Sequence, residues 1–194
     1  MAERCAWCLK NTLMMQYHDL EWGVPLYDDA RLFEFLVLEG FQAGLSWDIV
    51  LKKRESFKAA FDGFNYRIIA HYPSEKVEEL MQNSGIIRNR AKILGTINNA
   101  QCYLKVQQEF GSFSHYIWQF VEHKPVVNYF KSMSELPAKT ELSDKISADL
   151  KKRGFKFVGS TVVYAHLQAT GVVNDHLVSC FRHAEILSSY SHTI

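Results

Sequence analysis

The chain has 194 residues, of which 47% are hydrophobic and 22% charged, and its formal net charge is +1. This composition is that of a globular protein of one domain or two small lobes, and it excludes a disordered chain. Since no run of roughly 18 apolar residues and no apolar signal segment occurs, we expect no membrane span, no secretion and a cytoplasmic location. The four cysteines are then not expected to form disulfides. The balanced charge leaves a nucleic-acid partner open, because such binding needs only local positive charge.

Apolar residues recur at helical spacing through the first part of the chain. Asp28 and Asp29 precede such a stripe and can cap a helix that begins near Ala30. Gly44 interrupts the stripe, and Ser46 is predicted to cap the next helix. The pattern therefore predicts two consecutive helices separated by a short glycine-containing loop.

Helical signals continue through the middle of the chain. Asn65 opens a short helix, and Ser74 is predicted to cap the helix after it. A long amphipathic helix is predicted over 88–110. Ser112 or Ser114 precedes a further apolar helix.

The last third begins with an irregular stretch, 123–142, which we interpret as a connection between helical groups. Ser143 is predicted to cap a helix that ends near Arg153. Few segments alternate cleanly enough to be strands, so the sequence predicts an all-α fold. We expect a single domain over residues 1–187, with two helical lobes and a pocket between them, followed by a tail over 188–194.

A basic helix that ends at one glycine and a helix that begins at another lie close together in the sequence. Lys152 and Lys156 flank Gly154, and Gly159 precedes an apolar stretch over 160–169. Gly154 can adopt positive φ, and the turn can present backbone N–H groups to a DNA phosphate. The alternative is an ordinary helical hairpin with a glycine cap.

Two pairs of metal-ligating residue types stand at opposite ends of the chain. Cys5 and His18 lie near the N-terminus, and His176 and Cys180 lie near the C-terminus. The spacing of four between His176 and Cys180 predicts that both lie on one helix face. Two cysteines and two histidines suit a tetrahedral, structural zinc that would tie the chain ends together.

Other residues compete for these roles. Cys8 is an alternative to Cys5, and His183 is an alternative to His176. The four residues could also simply be core residues, since buried free cysteine is common. Cys102 lies within the long predicted helix and is interpreted as a core residue.

Glu39 ends an apolar run and is the only acid in it. A carboxylate in such a setting is costly to bury without a partner and often binds a ligand. Tyr17, Trp22 and Trp47, with Trp7 more loosely, could supply aromatic faces for a flat cationic heterocycle. The alternatives are a salt bridge at a helix end for Glu39 and core packing for the tryptophans.

Several long motifs occur together in a characteristic order. They are the segments 3–7, 17–25, 38–47, 50–55, 85–88, 151–159 and 171–176. On these motifs the chain resembles the DNA-3-methyladenine glycosylase I family, and the resemblance extends from residue 3 to about residue 181. The resemblance implies the helix–hairpin–helix glycosylase fold and a monomer that acts on double-stranded DNA containing alkylated adenine. The implied reaction hydrolyses the glycosidic bond of 3-methyladenine and releases the free base.

The same resemblance implies roles for individual residues. Structural zinc is implied at the two-cysteine, two-histidine set, and a base pocket is implied around Glu39, Tyr17, Trp22 and Trp47. It further implies that Gly44 and Leu45 fill the gap left when the damaged nucleotide leaves the helix. Glu39 is then the residue expected to recognise the base and to stabilise the developing positive charge.

Met14 and Phe41 depart from related proteins, and a relative has a second glutamine at position 41. Met14 stands where the family often has a tyrosine that lines the pocket. Asn174 stands where many members of the wider superfamily have a catalytic aspartate, with Asp175 one step on, and the family shares this feature. No lysine occupies an obvious nucleophile position, so we expect no strand-cleaving lyase step.

Three other functions remain open at this point. A non-enzymatic DNA-binding module would need the hairpin but not the pocket acid. A metal hydrolase would need a metal with an open position, which a set of four protein ligands does not leave. A glycosylase with another alkylated-base preference is the third, because Met14 could change the polarity of the pocket.

Overall fold

The computed structural model describes residues 3–190 and is mostly helical. Helices α1 to α11 span Thr12–Leu20, Asp29–Gln42, Trp47–Lys52, Arg54–Ala60, Tyr66–Ile69, Ser74–Gln82, Arg90–Phe110, Phe113–Trp118, Glu141–Lys152, Ser160–Ala169 and Phe181–Tyr190. Short 3-10 helices span Ala6–Lys10, Asp62–Phe64, Gln119–Val121 and Met133–Glu135. Within the described residues, no helix has the length and apolar character needed to cross a membrane.

Several helix starts lie where the sequence predicts them. The Asp28 side chain accepts a hydrogen bond from the Arg31 N–H at the start of α2. Asn65 and Ser112 cap α5 and α8 in the same way. Ser46 precedes α3 as predicted, but its side chain makes no capping hydrogen bond.

Other predicted starts are wrong by a few residues. Ser143 lies inside the first turn of α9, and Thr140 is the cap. The two residues form a reciprocal capping box, which accounts for the capping signal at Ser143. Pro73 rather than Ser74 caps α6, and Asn89 caps α7.

The all-α prediction is modified by one short sheet. Strand β1 (Val126–Val127) lies inside the stretch interpreted as irregular. It pairs in parallel with strand β2 (Val173–Asn174). This pairing attaches the connection between α8 and α9 to the segment that follows α10. The predicted tail also begins inside α11, which continues to Tyr190, whereas residues 191–194 lie outside the described part. The single domain over 1–187 stays a prediction.

Helix α2 runs through the interior, and every residue from Leu32 to Phe41 is buried. Around it, α7, α8 and α10 supply aromatic and aliphatic side chains to one large hydrophobic cluster. The acid Glu34 is satisfied there by Arg54, whose Nε lies 2.7 Å from Oε1. A helix that is apolar all round is stable only when it is covered on every side, so α2 fixes where the other helices lie.

The loop after α1 packs tightly against the end of α10. Gly23 N–H donates to the Gln168 carbonyl at 2.9 Å, and Leu26 N–H donates to the Thr170 carbonyl at 3.0 Å. Gly171 has φ +67°, and a Cβ there would lie 2.3 Å from the carbonyl carbon of Val24. The close approach of these two backbones therefore requires glycine.

We predict that Gly171→Ala strongly destabilises the protein, and Gly63→Ala is the matched control. Gly63 has nearly the same φ, +66°, but nothing lies within 4 Å of the position of its Cβ. Gly63→Ala should lower the free energy of unfolding by about 1–2 kcal/mol through backbone strain alone. Gly171→Ala should lose roughly a further 1–3 kcal/mol or more, because backbone atoms cannot move aside easily. Urea unfolding measures both, and equal losses would contradict the steric explanation.

Candidate functional site

A cavity of about 210 Å³ lies between α1, α2, α3 and α10. This is smaller than the roughly 300–1,000 Å³ of drug-sized sites and suits one flat heterocycle. The four residues predicted to form a base pocket all line it. Among the described residues, the lining consists of Trp7, Tyr17, Trp22, Glu39, Gln42, Trp47, Met133, Leu136, Ala165 and Gln168.

Glu39 is the acidic group of this cavity. It lies near the end of α2, is 4% exposed, and its Oε2 atom is buried without a hydrogen-bond partner. Burial raises the pKa of Glu39 to about 8. A buried acid that lacks an internal partner leaves its hydrogen-bonding capacity for a molecule that enters the cavity.

Aromatic rings form most of the wall. The rings of Tyr17 and Trp47 lie 5.2 Å apart between centroids, and those of Trp7 and Trp22 lie 5.0 Å apart. The indole Nε1 of Trp47 is buried and also lacks a partner. Burial and, to a smaller degree, the nearby charge of Glu39 raise the pKa of Tyr17, so its hydroxyl stays protonated. The wall thus combines aromatic faces with one unpaired donor and one unpaired acceptor.

Sequence reasoning did not assign five further residues that line the cavity. Gln42 follows Glu39 by three residues on α2, and this spacing was a usable signal. Ala165 and Gln168 come from α10, and Met133 and Leu136 come from the connection after β1. No local pattern indicates that these last segments reach the cavity, since their position depends on tertiary packing.

The two pairs of predicted metal ligands come together. The ligand atoms of Cys5, His18, His176 and Cys180 lie within 4.8 Å of one another, and all four residues are buried. The Cys180 Sγ atom is 3.4 Å from His18 Nε2 and 3.5 Å from His176 Nδ1. This group could hold a metal ion.

The backbone around two of these ligands differs from the prediction. His176 and Cys180 lie in a turn between β2 and α11 and do not share a helix face. The turn is closed by the Cys180 N–H, which donates to the Leu177 carbonyl at 2.8 Å. The Leu177 N–H in turn approaches the Cys5 sulfur at 3.5 Å. A turn brings the two side chains together as a helix would. The sequence spacing alone therefore could not distinguish a turn from a helix.

Each histidine of the cluster is oriented by a second hydrogen bond. His18 Nδ1 lies 2.8 Å from a carboxylate oxygen of Asp19, which leaves Nε2 free to face the sulfur atoms. The His176 Nε2–H donates to the Trp22 carbonyl at 2.9 Å, which leaves Nδ1 free. Such outer contacts are typical of metal-ligating histidines.

The cluster also supports the cavity wall. The Trp22 ring contacts the His176 ring with centroids 4.6 Å apart, and the Trp7 ring contacts the His18 ring at 5.4 Å. Two tryptophans of the cavity therefore pack directly on the imidazoles of the cluster.

Helices α9 and α10 are consecutive and pack on one another, an arrangement common to a DNA-binding hairpin and to an ordinary helical hairpin. We call residues 153–159 the hairpin turn. Gly154 has φ +93°, and Gly159 caps α10 without a side-chain hydrogen bond. Lys152 and Lys156 are exposed on either side of Gly154. The turn thus presents both lysines and the N-terminus of α10 to solvent.

A second exposed segment lies beside the cavity. We call residues 43–46 the wedge loop, which joins α2 to α3. Gly44 has φ +85° and open space around it, and Leu45 is 40% exposed. The Leu45 N–H donates to the Gln42 carbonyl at 2.6 Å. An exposed leucine on a tight, backbone-fixed loop is suited to insertion between bases.

Met14 and Asp175, both singled out in the sequence, can now be located in the structure. Met14 is buried among the residues around the metal cluster and does not line the cavity. Asp175 is fully buried and accepts hydrogen bonds from Tyr164, Gln168 and Asn128. Its contacts are those of a structural residue that holds the end of α10, and it is absent from the described lining.

Comparisons with known proteins place this site in context. A family described as methyladenine glycosylase matches residues 7–183. DNA-3-methyladenine glycosylase 1 of Escherichia coli is 50% identical over 178 residues, which are 92% of this chain and 95% of that protein. DNA-3-methyladenine glycosylase of Haemophilus influenzae is 47% identical over 180 residues, which are 93% of this chain and 97% of that protein.

Solved structures agree with these relatives. A crystal structure of a 3-methyladenine DNA glycosylase I superposes with a TM-score of 0.90 at 48% identity and covers 92% of this chain and 98% of the other. A structure of the Staphylococcus aureus enzyme, described as the structural basis of 3-methyladenine recognition, gives 0.89 at 38% identity. It covers 92% of this chain and 95% of the other.

We predict that Glu39→Gln stabilises the empty protein at pH 8. In the unfolded chain this acid loses its proton near pH 4.5, whereas in the fold it keeps it to about pH 8. The free energy of unfolding therefore falls as pH rises through this window, and the full interval corresponds to about 5 kcal/mol at most. Urea unfolding at pH 5 and pH 8 should show a gain for Glu39→Gln at pH 8 and a much smaller effect at pH 5.

Glu34→Gln is the matched control on the same helix. Glu34 is also buried, but it pairs with Arg54 at 2.7 Å and with Arg31 at 3.0 Å. Its neutralisation should lower the free energy of unfolding at both pH values by roughly 1–3 kcal/mol. Destabilisation of the two variants to the same extent at pH 8 would contradict our interpretation of Glu39.

Proposed function

The chain belongs to the methyladenine glycosylase family, and from this premise we propose how its cavity, hairpin turn, wedge loop and metal cluster act on alkylated DNA. The protein is a base-excision repair hydrolase that cleaves the N-glycosidic bond of 3-methyladenine in alkylated DNA and releases the free base. The observation that carries the proposed site is the unpartnered Glu39 carboxyl group in an aromatic cavity.

The cavity would recognise the flipped base by charge and shape. Adenine methylated at N3 is cationic while it is attached to the sugar, so aromatic faces and a carboxylate both attract it. Trp47 would stack on the base, with Tyr17 and Trp22 closing the cavity around it. Glu39 would accept a hydrogen bond from the N6 amino group of the base. Because the empty cavity favours the protonated acid, arrival of the cation would displace a proton from Glu39.

The chemistry then needs little acid catalysis. When the glycosidic bond breaks, its electron pair moves to the cationic base, which leaves as neutral 3-methyladenine. The positive charge moves to the sugar, where the Glu39 carboxylate would stabilise it. Water attacks the sugar carbon and loses a proton to give the abasic site. No lysine belongs to the described cavity lining, which supports a monofunctional enzyme without a lyase step.

The hairpin turn and the wedge loop would hold double-stranded DNA. Backbone N–H groups near Gly154 and Gly159, with the charges of Lys152 and Lys156, would bind phosphates without regard to sequence. Leu45 would fill the gap left by the extruded nucleotide, and Gly44 would let the loop enter the helix. A monomer in the cytoplasm stays the expectation drawn from the sequence.

The metal cluster would hold one structural zinc ion. Tetrahedral zinc, with bonds of about 2.3 Å to sulfur and 2.0–2.1 Å to nitrogen, separates sulfur and nitrogen ligands by about 3.5 Å. The spacings between Cys180 and the two imidazoles, 3.4 and 3.5 Å, fit this geometry. Four protein ligands leave no position for a reacting water, so the ion would stabilise the fold and the tryptophan wall rather than take part in hydrolysis.

We predict that Glu39→Gln loses most base release. Removal of one preorganised electrostatic group lowers kcat by roughly 100- to 1,000-fold. The measurement is release of free 3-methyladenine from methylated duplex DNA, resolved by chromatography under single-turnover conditions. Glu55→Gln, which neutralises an exposed acid on α4, is the control and should behave as the unmodified protein does. Near-normal release by Glu39→Gln would rule out this role.

We predict that Cys5→Ala loses the bound zinc, whereas Cys8→Ala retains one ion per chain. Both cysteines are fully buried, but only the Cys5 sulfur belongs to the cluster, and the Cys8 thiol donates to the Cys5 carbonyl at 3.1 Å. Elemental analysis of the purified proteins measures the zinc. Loss of zinc should also change the tryptophan fluorescence, because Trp7 and Trp22 pack on the two imidazoles. Equal zinc contents in the two variants would contradict the assignment.

A further inference from the structure

Helix α7 contacts both segments to which the proposed function assigns DNA contacts. Lys92, Gly95 and Asn99 lie on one face of α7, since they are spaced by three and four residues. Lys92 faces the wedge loop, whereas Gly95 and Asn99 face the hairpin turn. From Lys92 to Asn99 the helix rises by about 10 Å.

Lys92 holds the start of the wedge loop. Its ammonium group donates to the Phe41 carbonyl at 2.9 Å and to the Ala43 carbonyl at 2.8 Å. These are carbonyls at the C-terminal end of α2, where orphan acceptors and the helix dipole favour a cation. Among the described residues no carboxylate pairs with Lys92, and the residue is 9% exposed. A cation without a carboxylate partner is costly to bury, and here the hydrogen bonds of its ammonium group fix the end of the helix that carries Glu39.

Asn99 holds the hairpin turn through the backbone of a single residue. Its Oδ1 accepts from the Lys156 N–H at 2.7 Å, and its Nδ2 donates to the Lys156 carbonyl at 2.9 Å. The neighbouring Asn98 donates to the Gly154 carbonyl at 2.8 Å. The side chains of α7 thus satisfy polar groups of the turn that otherwise would need water or DNA.

Phe157 secures the same contact with its ring. This residue has φ +56°, an unusual value for a side chain of this size. Its ring lies where a Cβ at Gly95 would be, with a separation of only 2.6 Å, and its own Cβ lies 3.8 Å from the position of a Cβ at Gly40 of α2. The ring therefore packs against α7 at Gly95, where a side chain would collide with it, while its Cβ is in ordinary contact with α2 at Gly40.

We propose that Lys92 and Asn99 are positioning residues that set the separation between the wedge loop and the hairpin turn, with α7 as the rigid spacer. The inference rests on the proposed function, because it assumes that both segments engage one duplex. Binding of phosphate by the turn and insertion of Leu45 must occur together for the nucleotide to leave the helix. A spacer that fixes both segments before DNA arrives lowers the entropy lost in that step. Neither residue lines the base cavity.

The test compares Lys92→Met and Asn99→Ala with a control variant, Lys105→Met. The control carries the same lysine-to-methionine change at an exposed position of α7. Three measurements are made on each variant. Quenching of tryptophan fluorescence by free 3-methyladenine reports the cavity. Emission from 2-aminopurine opposite a tetrahydrofuran abasic analogue in duplex DNA reports insertion of the wedge loop. Single-turnover release of base from methylated duplex DNA reports excision.

We expect Lys92→Met and Asn99→Ala to lose the 2-aminopurine signal and to excise roughly 100-fold more slowly, as a small displacement remote from the chemistry can cause. Free 3-methyladenine should still bind as tightly as to Lys105→Met, which also shows that the cavity is folded. Excision and 2-aminopurine signals equal to those of Lys105→Met in both variants would overturn the proposal. A parallel loss of free-base binding would also overturn it, since the residues would then support the cavity. Failure of the unmodified protein to release base would instead refute the proposed function.

Discussion

The structure depends on the burial of one helix. From Leu32 to Phe41, α2 is enclosed on all sides, so every neighbouring element is placed by what it must cover. An acid in such a helix is costly unless it is paired. Glu34 meets this requirement through Arg54, whereas Glu39 does not. The energetic cost of the unpaired acid is offset by the surrounding core, and in the proposed function a cationic ligand would relieve it, which would link the stability of the fold to the selectivity of its cavity.

Much of the fold could be predicted from local patterns. Helices α2 and α7 have long periodic stripes and side-chain caps, and their existence and type follow from short-range chemistry. The pairing of Val126 with Val173 could not be predicted, because a two-residue strand has no periodicity and exists only where tertiary packing brings two segments together. The predicted start of α9 was a few residues too late. Thr140 and Ser143 cap one another, and the sequence alone does not indicate which of them is the N-cap residue.

Some residues of the candidate site could likewise be predicted from the sequence, whereas others could not. Glu39 stands out because an acid in an apolar run contradicts its surroundings, and the four possible metal ligands stand out because their residue types are few. Met133 and Leu136 carry no such signal, since an apolar residue in a connection has many places to pack. The contact between α7 and the wedge loop could not be predicted from the sequence either. Lys92 looks like any surface lysine in the sequence, and only the fold shows that two carbonyl groups of another helix receive its hydrogen bonds.

The contact between His176 and the Trp22 carbonyl has a consequence for folding during translation. Trp22 leaves the ribosome early, whereas His176 and Cys180 follow more than a hundred residues later. Domains usually fold as units while the chain is made, from the N-terminal end. Here Trp22, which lines the cavity, lacks its contact with His176 until the segment after α10 has emerged. A nascent chain that stops short of His176 lacks the imidazole on which Trp22 packs and two of the four side chains of the metal cluster, so the cavity wall is completed only when translation has passed this point.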